Sequence, residues 1–342
     1  MTNEQWETLL AVIAGEAIDP LPVGFIIDSP WLPGWSGMTL LDYYTSESLW
    51  LEANLKALRR FPRIMFLPGF WSEWGMCTEP SAFGAKCTWH EDAFPFPEVI
   101  ADSVEKASDV AVPNPRTDGL APFVLKRLLH CREKIESAGH HIKFAVARGP
   151  LNIAAFLVGN NEFLMGMKLA PTATHTLLGK VTDFLVDWIQ VQVETFPSIE
   201  GIFLLDDIVG FCGEQDYREF VEPYMKRSFG AVDAKVRFFH NDAPGRVCAP
   251  HLQEFDVNLF NFAFDHPMAE MQEWVGGDVA LLGNIPPREV MAQGAPEDVC
   301  QSVASLLGSV QDRRRIILSC GGGMPPHVPT ENIEAFLEAA GY

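Results

Sequence analysis

The chain is poor in positive charge: 25 Lys and Arg stand against 45 Asp and Glu in 342 residues, a formal net charge of −20. Sequence-independent binding to nucleic acid or to an anionic membrane surface rests on clustered Lys and Arg, so neither partner is expected. No CxxC is present, and the seven cysteines (77, 87, 131, 212, 248, 300 and 320) are odd in number and scattered. That argues against a disulfide framework and for a reduced, cytoplasmic setting. The opening MTNEQWETLLAVIAGEAIDP has no basic n-region and reads as an acidic amphipathic helix, not a signal peptide. No apolar run approaches the ~18 residues of a membrane span. A glycine-rich phosphate turn is also missing: the first apolar run leads into Asp28-Ser-Pro-Trp, and Gly321–Gly323 lacks a Walker lysine.

What remains is an ordinary globular composition, 48% hydrophobic and 20% charged. Short, nearly continuous apolar runs occur at 24–28, 64–69, 142–148, 201–207, 236–242, 257–264, 279–284 and 315–320. Such runs read as strands of a parallel sheet buried on both faces. Helical patterns at 46–59, 120–137, 172–194, 216–232, 249–254, 267–275, 296–308 and 330–340 alternate with them. Eight strands alternating with helices predict an α/β chain folded as one (β/α)8 TIM barrel over residues 1–342.

The runs end in chemistry. Asp28, Arg148, Asp206-Asp207, His240-Asn241-Asp242, Asn284 and Cys320 all fall at C-terminal ends of predicted strands, the functional face of such a barrel. His240 and Asp242, at i and i+2, point to one side of a strand, and with Cys320 they form a candidate zinc set that leaves a position open. Asp265 or His266 offers a fourth ligand. The competing reading has His240 and Asp242 bonding substrate or each other, with Cys320 a small buried hydrophobe. Asp206 and Asp207 are candidate catalytic acids, since adjacent carboxylates push one pKa upward; capping a turn or pairing with Arg148 is the alternative. An excursion of about 70 residues between strands 2 and 3 suggests a lid. With Trp31, Trp35, Trp71, Trp74 and Trp89 it suggests an aromatic rim for an aromatic or quaternary-ammonium ligand; ordinary core packing of these tryptophans is the alternative. Asp28, Trp31, Trp71, Arg148 and Asn284 are the candidate substrate-binding residues.

Leu282-Gly-Asn-Ile-Pro-Pro, then Gly294-Ala-Pro-Glu-Asp-Val, and the ending ILSCGGGMPPHVPTENI (317–333) resemble signatures of the uroporphyrinogen decarboxylase superfamily. Asp206-Asp207 with Tyr217-Arg-Glu-Phe-Val-Glu-Pro-Tyr resembles its fourth-strand segment, and Phe239-His240 the strand that carries H-x-C in its methyltransferase branch. The resemblance covers nearly the whole chain and implies the same barrel. True uroporphyrinogen decarboxylases use arginines just after strand 1, an aspartate after strand 2 and a histidine before the final E-N-I. Here the first arginine is Arg59, Leu67-Pro-Gly fills the second place and Gly322 the third.

The methyltransferase branch implies zinc held by His and Cys, and a cobalamin cofactor. His240 matches, Asp242 replaces the cysteine two residues on, and Cys320 falls two positions early. No D-x-H-x-x-G corrinoid signature is present, so a partner protein would carry the cobalamin. The expected function is metal-assisted methyl transfer between a small methylated compound and that corrinoid. A decarboxylase or lyase acting on a carboxylated substrate is the alternative, and a noncatalytic metabolite-binding barrel is the third possibility.

Overall fold

The computed structural model describes residues 1–342. Its eight parallel strands are β1 (Gly24–Ile26), β2 (Met65–Leu67), β3 (Phe144–Arg148), β4 (Gly201–Leu205), β5 (Val236–Asn241), β6 (Leu259–Phe262), β7 (Ala280–Ile285) and β8 (Ile316–Cys320). Each lies on a predicted run, and the α/β barrel reading holds. The runs read as continuously apolar because almost every strand position is buried, on one side by the barrel interior and on the other by helices.

The alternation sorts the two faces. Phe203, Phe238, Leu259, Ala280, Leu282 and Ile317 point inward, and α1 (Asn3–Ala14) closes the foot of the barrel with Trp6, Leu9 and Val12. Phe203 stacks on Phe238 with ring centroids 4.2 Å apart. Their strand neighbours, such as Leu204, Phe239, Leu281, Ile316 and Leu318, face the helical layer.

Hydrogen-bonded ladders run without a break from β3 to β8. A single bridge, Val23 to Leu318, joins β8 to the β1–β2 pair. The ladders do not cross from β2 to β3. Side chains and α1 fill that seam. Met1 and His141 exchange backbone hydrogen bonds of 2.8 and 3.1 Å, and Gln5 donates to the Ile64 carbonyl at 3.1 Å.

The sequence reading missed several helices. Pro150–Val158 and Asn160–Leu169 follow β3, and short turns of helix occupy Leu32–Ser36, Leu40–Thr45, Thr78–Ala82 and Val104–Ala107. Pro150–Val158 is buried at nearly every position, so it has no amphipathic period; Pro150 at its first turn is the one local helix signal. No helix is long and apolar enough to cross a membrane.

Candidate active site

His240, Asp207 and Asp242 meet where β4 and β5 end, with ligand atoms all within 4.8 Å of one another. Asn261, on the inward face of β6, donates its amide hydrogens to the carbonyls of Leu282 (2.8 Å) and Cys320 (3.2 Å). Its oxygen therefore faces His240, and the 2.7 Å contact to Nδ1 makes that nitrogen the donor. The neutral ring then carries its lone pair on Nε2, 3.8 Å from Asp207 Oδ1 and 3.9 Å from Asp242 Oδ2. A lone pair facing two carboxylates is repulsive until a cation, a proton or a metal, lies between them. The Asp242 backbone N–H donates to Asp207 Oδ1 at 3.1 Å and fixes one side of the group.

Asp207 keeps an open edge but sits deep among barrel atoms, and that desolvation, then the neighbouring Asp242 carboxylate, push its carboxyl up to about 6. Protons and a metal compete for this oxygen, so zinc affinity is expected to climb as pH rises through about 6 and to level off above it. Chelator competition across pH 5–8 measures this, and Asp207→Asn should flatten that part of the profile. For the metal-free protein the sign is opposite. The folded-state pKa is raised, so the contribution of Asp207 to stability is present below about 4 and is lost as pH rises through about 6.

The donor set fits a small divalent ion. Tetrahedral zinc with bonds of about 2.1 Å needs ligand atoms about 3.4 Å apart, within side-chain rotation of the distances here. His240 is buried, whereas the Asp207 and Asp242 side chains are 37% and 51% exposed, which leaves the open side facing the mouth.

Three expectations are corrected. Cys320 shares the outward face of β8 with Ile316 and Leu318, with its thiol turned to the Gly322 carbonyl at 3.4 Å. Burial pushes that thiol up to about 12. Strand parity thus excludes Cys320 from the ligand group, and Asp207 takes its place. Cys320→Ser is expected to leave metal stoichiometry unchanged while costing about 1–3 kcal/mol for a buried hydroxyl, as read by metal analysis and urea unfolding.

Asp206 is fully buried and accepts from the N–H groups of Leu151 (2.8 Å) and Asn152 (3.1 Å). It therefore anchors the start of helix Pro150–Val158 and does not reach the mouth. Burial raises its carboxyl to about 8 against the pull of those donors.

The aromatic rim is dispersed. Trp31 is fully buried in the outer layer, stacked on Trp35 at 4.8 Å and donating to the Val328 carbonyl at 3.0 Å. Trp74 and Trp89 lie on the barrel's flank with Tyr44. Of the five, Trp71 alone belongs to the inner cluster, edge-on to Phe203 at 6.0 Å.

Across the mouth, Arg148 donates through Nη1 and its backbone N–H to the two Glu79 oxygens, at 3.1 and 3.2 Å. Its Nε contacts Met76 Sδ at 3.1 Å. Arg148 thereby ties the excursion to the end of β3, and Glu79 takes much of its charge. Asp28 is half-buried nearby; burial, then Glu73, raise its carboxyl well above the usual range, and Arg148 works against them. Glu73 is itself buried, accepts from the Gly75 N–H, and is raised by burial. Sequence reasoning placed Glu73 in a lid and passed over Glu79, since nothing in FWSEW or CTEP marks either glutamate as buried.

Asn284 is buried on β7 and donates to the His266 carbonyl. His266 Nε2 accepts from the Gly245 N–H at 3.2 Å, and neither it nor the exposed Asp265 belongs to the ligand group. A β-carbon on Gly322 would lie 3.4 Å from Asp242 Oδ2, with φ at +124°. A histidine there would contest the space that Asp242 uses.

The family profile described as uroporphyrinogen decarboxylase matches residues 4–341. A uroporphyrinogen decarboxylase of Psychromonas ingrahamii is 24% identical over 99% of this chain and 97% of its own. One from Myxococcus xanthus is 30% identical across 54% of this chain and 55% of its own. Among solved structures, a methyltransferase from Methanosarcina mazei superposes with a TM-score of 0.80 at 19% identity, covering 97% of this chain and 96% of that one. A B12-independent methionine synthase from Shewanella sp. W3-18-1 gives 0.55 at 13% identity, covering 94% and 95%. At these identities the structural likenesses establish the shared fold.

Proposed function

The chain belongs to the uroporphyrinogen decarboxylase family, and within it we propose a corrinoid-dependent methyltransferase that moves a methyl group between a small O-, N- or S-methyl compound and a cobalamin carried by a partner protein. The observation that carries the reading is the His240 Nε2 lone pair held toward Asp207 and Asp242 by Asn261. Breaking a methyl–heteroatom bond leaves a strongly basic group, so the protein must deliver a Lewis acid or a proton at the heteroatom. Zinc on His240, Asp207 and Asp242 would supply the Lewis acidity.

The remaining roles belong to the chain's own residues. Asn261 fixes the His240 ring and its tautomer. Asp28, whose protonated form is favoured by burial and by Glu73, can place a proton at the leaving heteroatom. Arg148, Asn284 and Trp71 shape the wall against which the methyl compound rests. The exposed edges of Asp207 and Asp242 leave the mouth open to a docking corrinoid domain. The printed name of the Methanosarcina protein points the same way.

The second reading, a carboxy-lyase acting on a smaller acid, is favoured by the names of the sequence relatives. Against it, the mouth-facing Arg148 is already paired with Glu79. Mixing zinc-loaded protein with cob(I)alamin and a panel of aromatic ethers, methylamines and methyl thiols tests the choice. A methylcobalamin spectrum supports methyl transfer. No spectral change across the panel, together with carbon dioxide release from a carboxylated substrate, moves the assignment to the lyase.

A further inference from the structure

A broad apolar recess of about 580 Å³ lies outside the mouth, on the flank of the barrel between the segment following β1 and the helix Ala121–Ser137. Two edge-to-face aromatic pairs build it: Tyr44 with Trp89 at 5.7 Å, and Trp74 with Phe123 at 6.4 Å. Phe123 is 58% exposed and Trp89 36%, so both leave much of their surface uncovered.

The polar part of the lining is cationic. The Arg127 guanidinium lies 3.9 Å over the Trp74 ring, and its Nη2 donates to the Tyr44 carbonyl. The guanidinium is sandwiched between Trp74 and the buried Trp50 (5.6 Å) and its Nη1 is sealed from solvent, so Arg127 backs the wall of the groove and presents no free donor to it. Lys126 is exposed and is absent from the chain's lysine ion pairs, which use Lys86, Lys106, Lys143, Lys168 and Lys235. The one carboxylate on the groove, Glu47, is engaged by His130 at 3.1 Å. An exposed cation without a carboxylate partner, Lys126, beside an aromatic groove stands out in a chain with a net charge of −20.

We propose that this groove binds a small planar aromatic acid of one or two rings. The ring lies against the exposed surfaces of Trp89 and Phe123, backed by Tyr44 and Trp74, where offset and edge contacts favour a flat π-system, and the carboxylate turns to Lys126. The volume is in the range of small-molecule sites and exceeds what a single ring needs. The groove also reaches the mouth through covalent neighbours. The Tyr44 hydroxyl donates to Ser29 Oγ at 2.7 Å, Ser29 follows Asp28, and Trp74 follows Glu73. Occupancy of the groove therefore bears on the proton-holding side of the site. The inference stands apart from the methyl-transfer reading, because it uses no residue of the metal group.

Calorimetric titration of the full chain with 2-naphthoate, and with 2-naphthalenemethanol as its neutral counterpart, tests it. One saturable site is expected for the acid, at least fivefold weaker for the alcohol. Lys126→Ala should weaken the acid about threefold and leave the alcohol unchanged. Phe123→Ala should weaken both about tenfold, and His240→Ala should change neither. Equal affinity for acid and alcohol would overturn the proposal. So would binding that is lost in His240→Ala but indifferent to Phe123→Ala, since the ligand would then occupy the mouth. A wild-type dimer that Phe123→Ala converts to monomer would assign the groove to a second copy of the chain and equally end the inference.

Discussion

Replacing His240 by alanine is expected to abolish stoichiometric metal binding and to lower kcat/KM for methylcobalamin formation by about a thousandfold or more, on the order of 4 kcal/mol in transition-state stabilisation. The size follows from the geometry. His240 is the buried nitrogen of a three-residue set whose other two members are carboxylates near solvent, so no neighbour replaces it. Asn261→Ala should act through the same ring more gently. The ring loses the acceptor that holds its Nδ1–H, and metal affinity should fall by about 10–100-fold, as for other outer-shell partners of ligating histidines. Mass spectrometry of the native protein, purified without an affinity tag and reloaded with zinc, reads the stoichiometry. Full metal occupancy in His240→Ala would remove this site from consideration whatever the activity.

Arg148→Ala is expected to destabilise the fold by about 3–5 kcal/mol, because it leaves Glu79 buried without its cation and removes a positive charge that offsets Asp28 and, together with Arg127, Glu73. Loss of packing area alone would cost less, so the comparison that matters is with Arg148→Met/Glu79→Gln, in which Glu79 is no longer an orphaned charge. That double variant should recover most of the lost stability while remaining altered in activity. Urea unfolding midpoints at constant m measure both. A single variant within about 1 kcal/mol of wild type would mean that water or another group already compensates Glu79.

The fold was legible in the sequence for a plain reason. A strand buried on both faces has no polar positions to interrupt it, so runs such as VRFFHND and RIILSC stand out against amphipathic helices. The ladders are shorter than the runs at several C-terminal ends: β1 stops at Ile26 and β4 at Leu205, so Asp28, Asp206 and Asp207 stand beyond the last ladder pair. For the same reason the sequence could say which residues reach the mouth region but not which side they face. Asp206 and Asp207 are adjacent, yet one is pinned under a helix and the other joins His240.

Cys320 failed on parity, a property that depends on where β8 begins and that an unbroken apolar run conceals. Glu73 and Glu79 were beyond reach because the excursion's burial comes from contacts with Arg148 and the barrel wall, not from local pattern. The tryptophans misled for the converse reason: packing in the outer layer claims Trp31, Trp35 and Trp74, Trp89 stands exposed on the flank, and Trp71 alone joins the inner cluster.

The seam between β2 and β3 gives the barrel two mechanical parts. The unbroken arc from β3 to β8 is stitched by continuous ladders and carries His240, Asp207 and Asp242. The β1–β2 pair, with Asp28 and the strap bearing Glu73, hangs on the Val23–Leu318 bridge and a Met324 N–H bond to the Ile26 carbonyl at one edge, and on side chains and the Met1–His141 bonds at the other. Local opening is cheapest where backbone hydrogen bonds are fewest, so the compliant part of the ring is the two-strand segment that carries Asp28. The His240, Asp207 and Asp242 group keeps its shape while the opposite wall yields, much as a vice has one fixed jaw and one that slides. Under the proposed function, methyl compounds of different width would then be admitted without disturbing the arrangement of His240, Asp207 and Asp242.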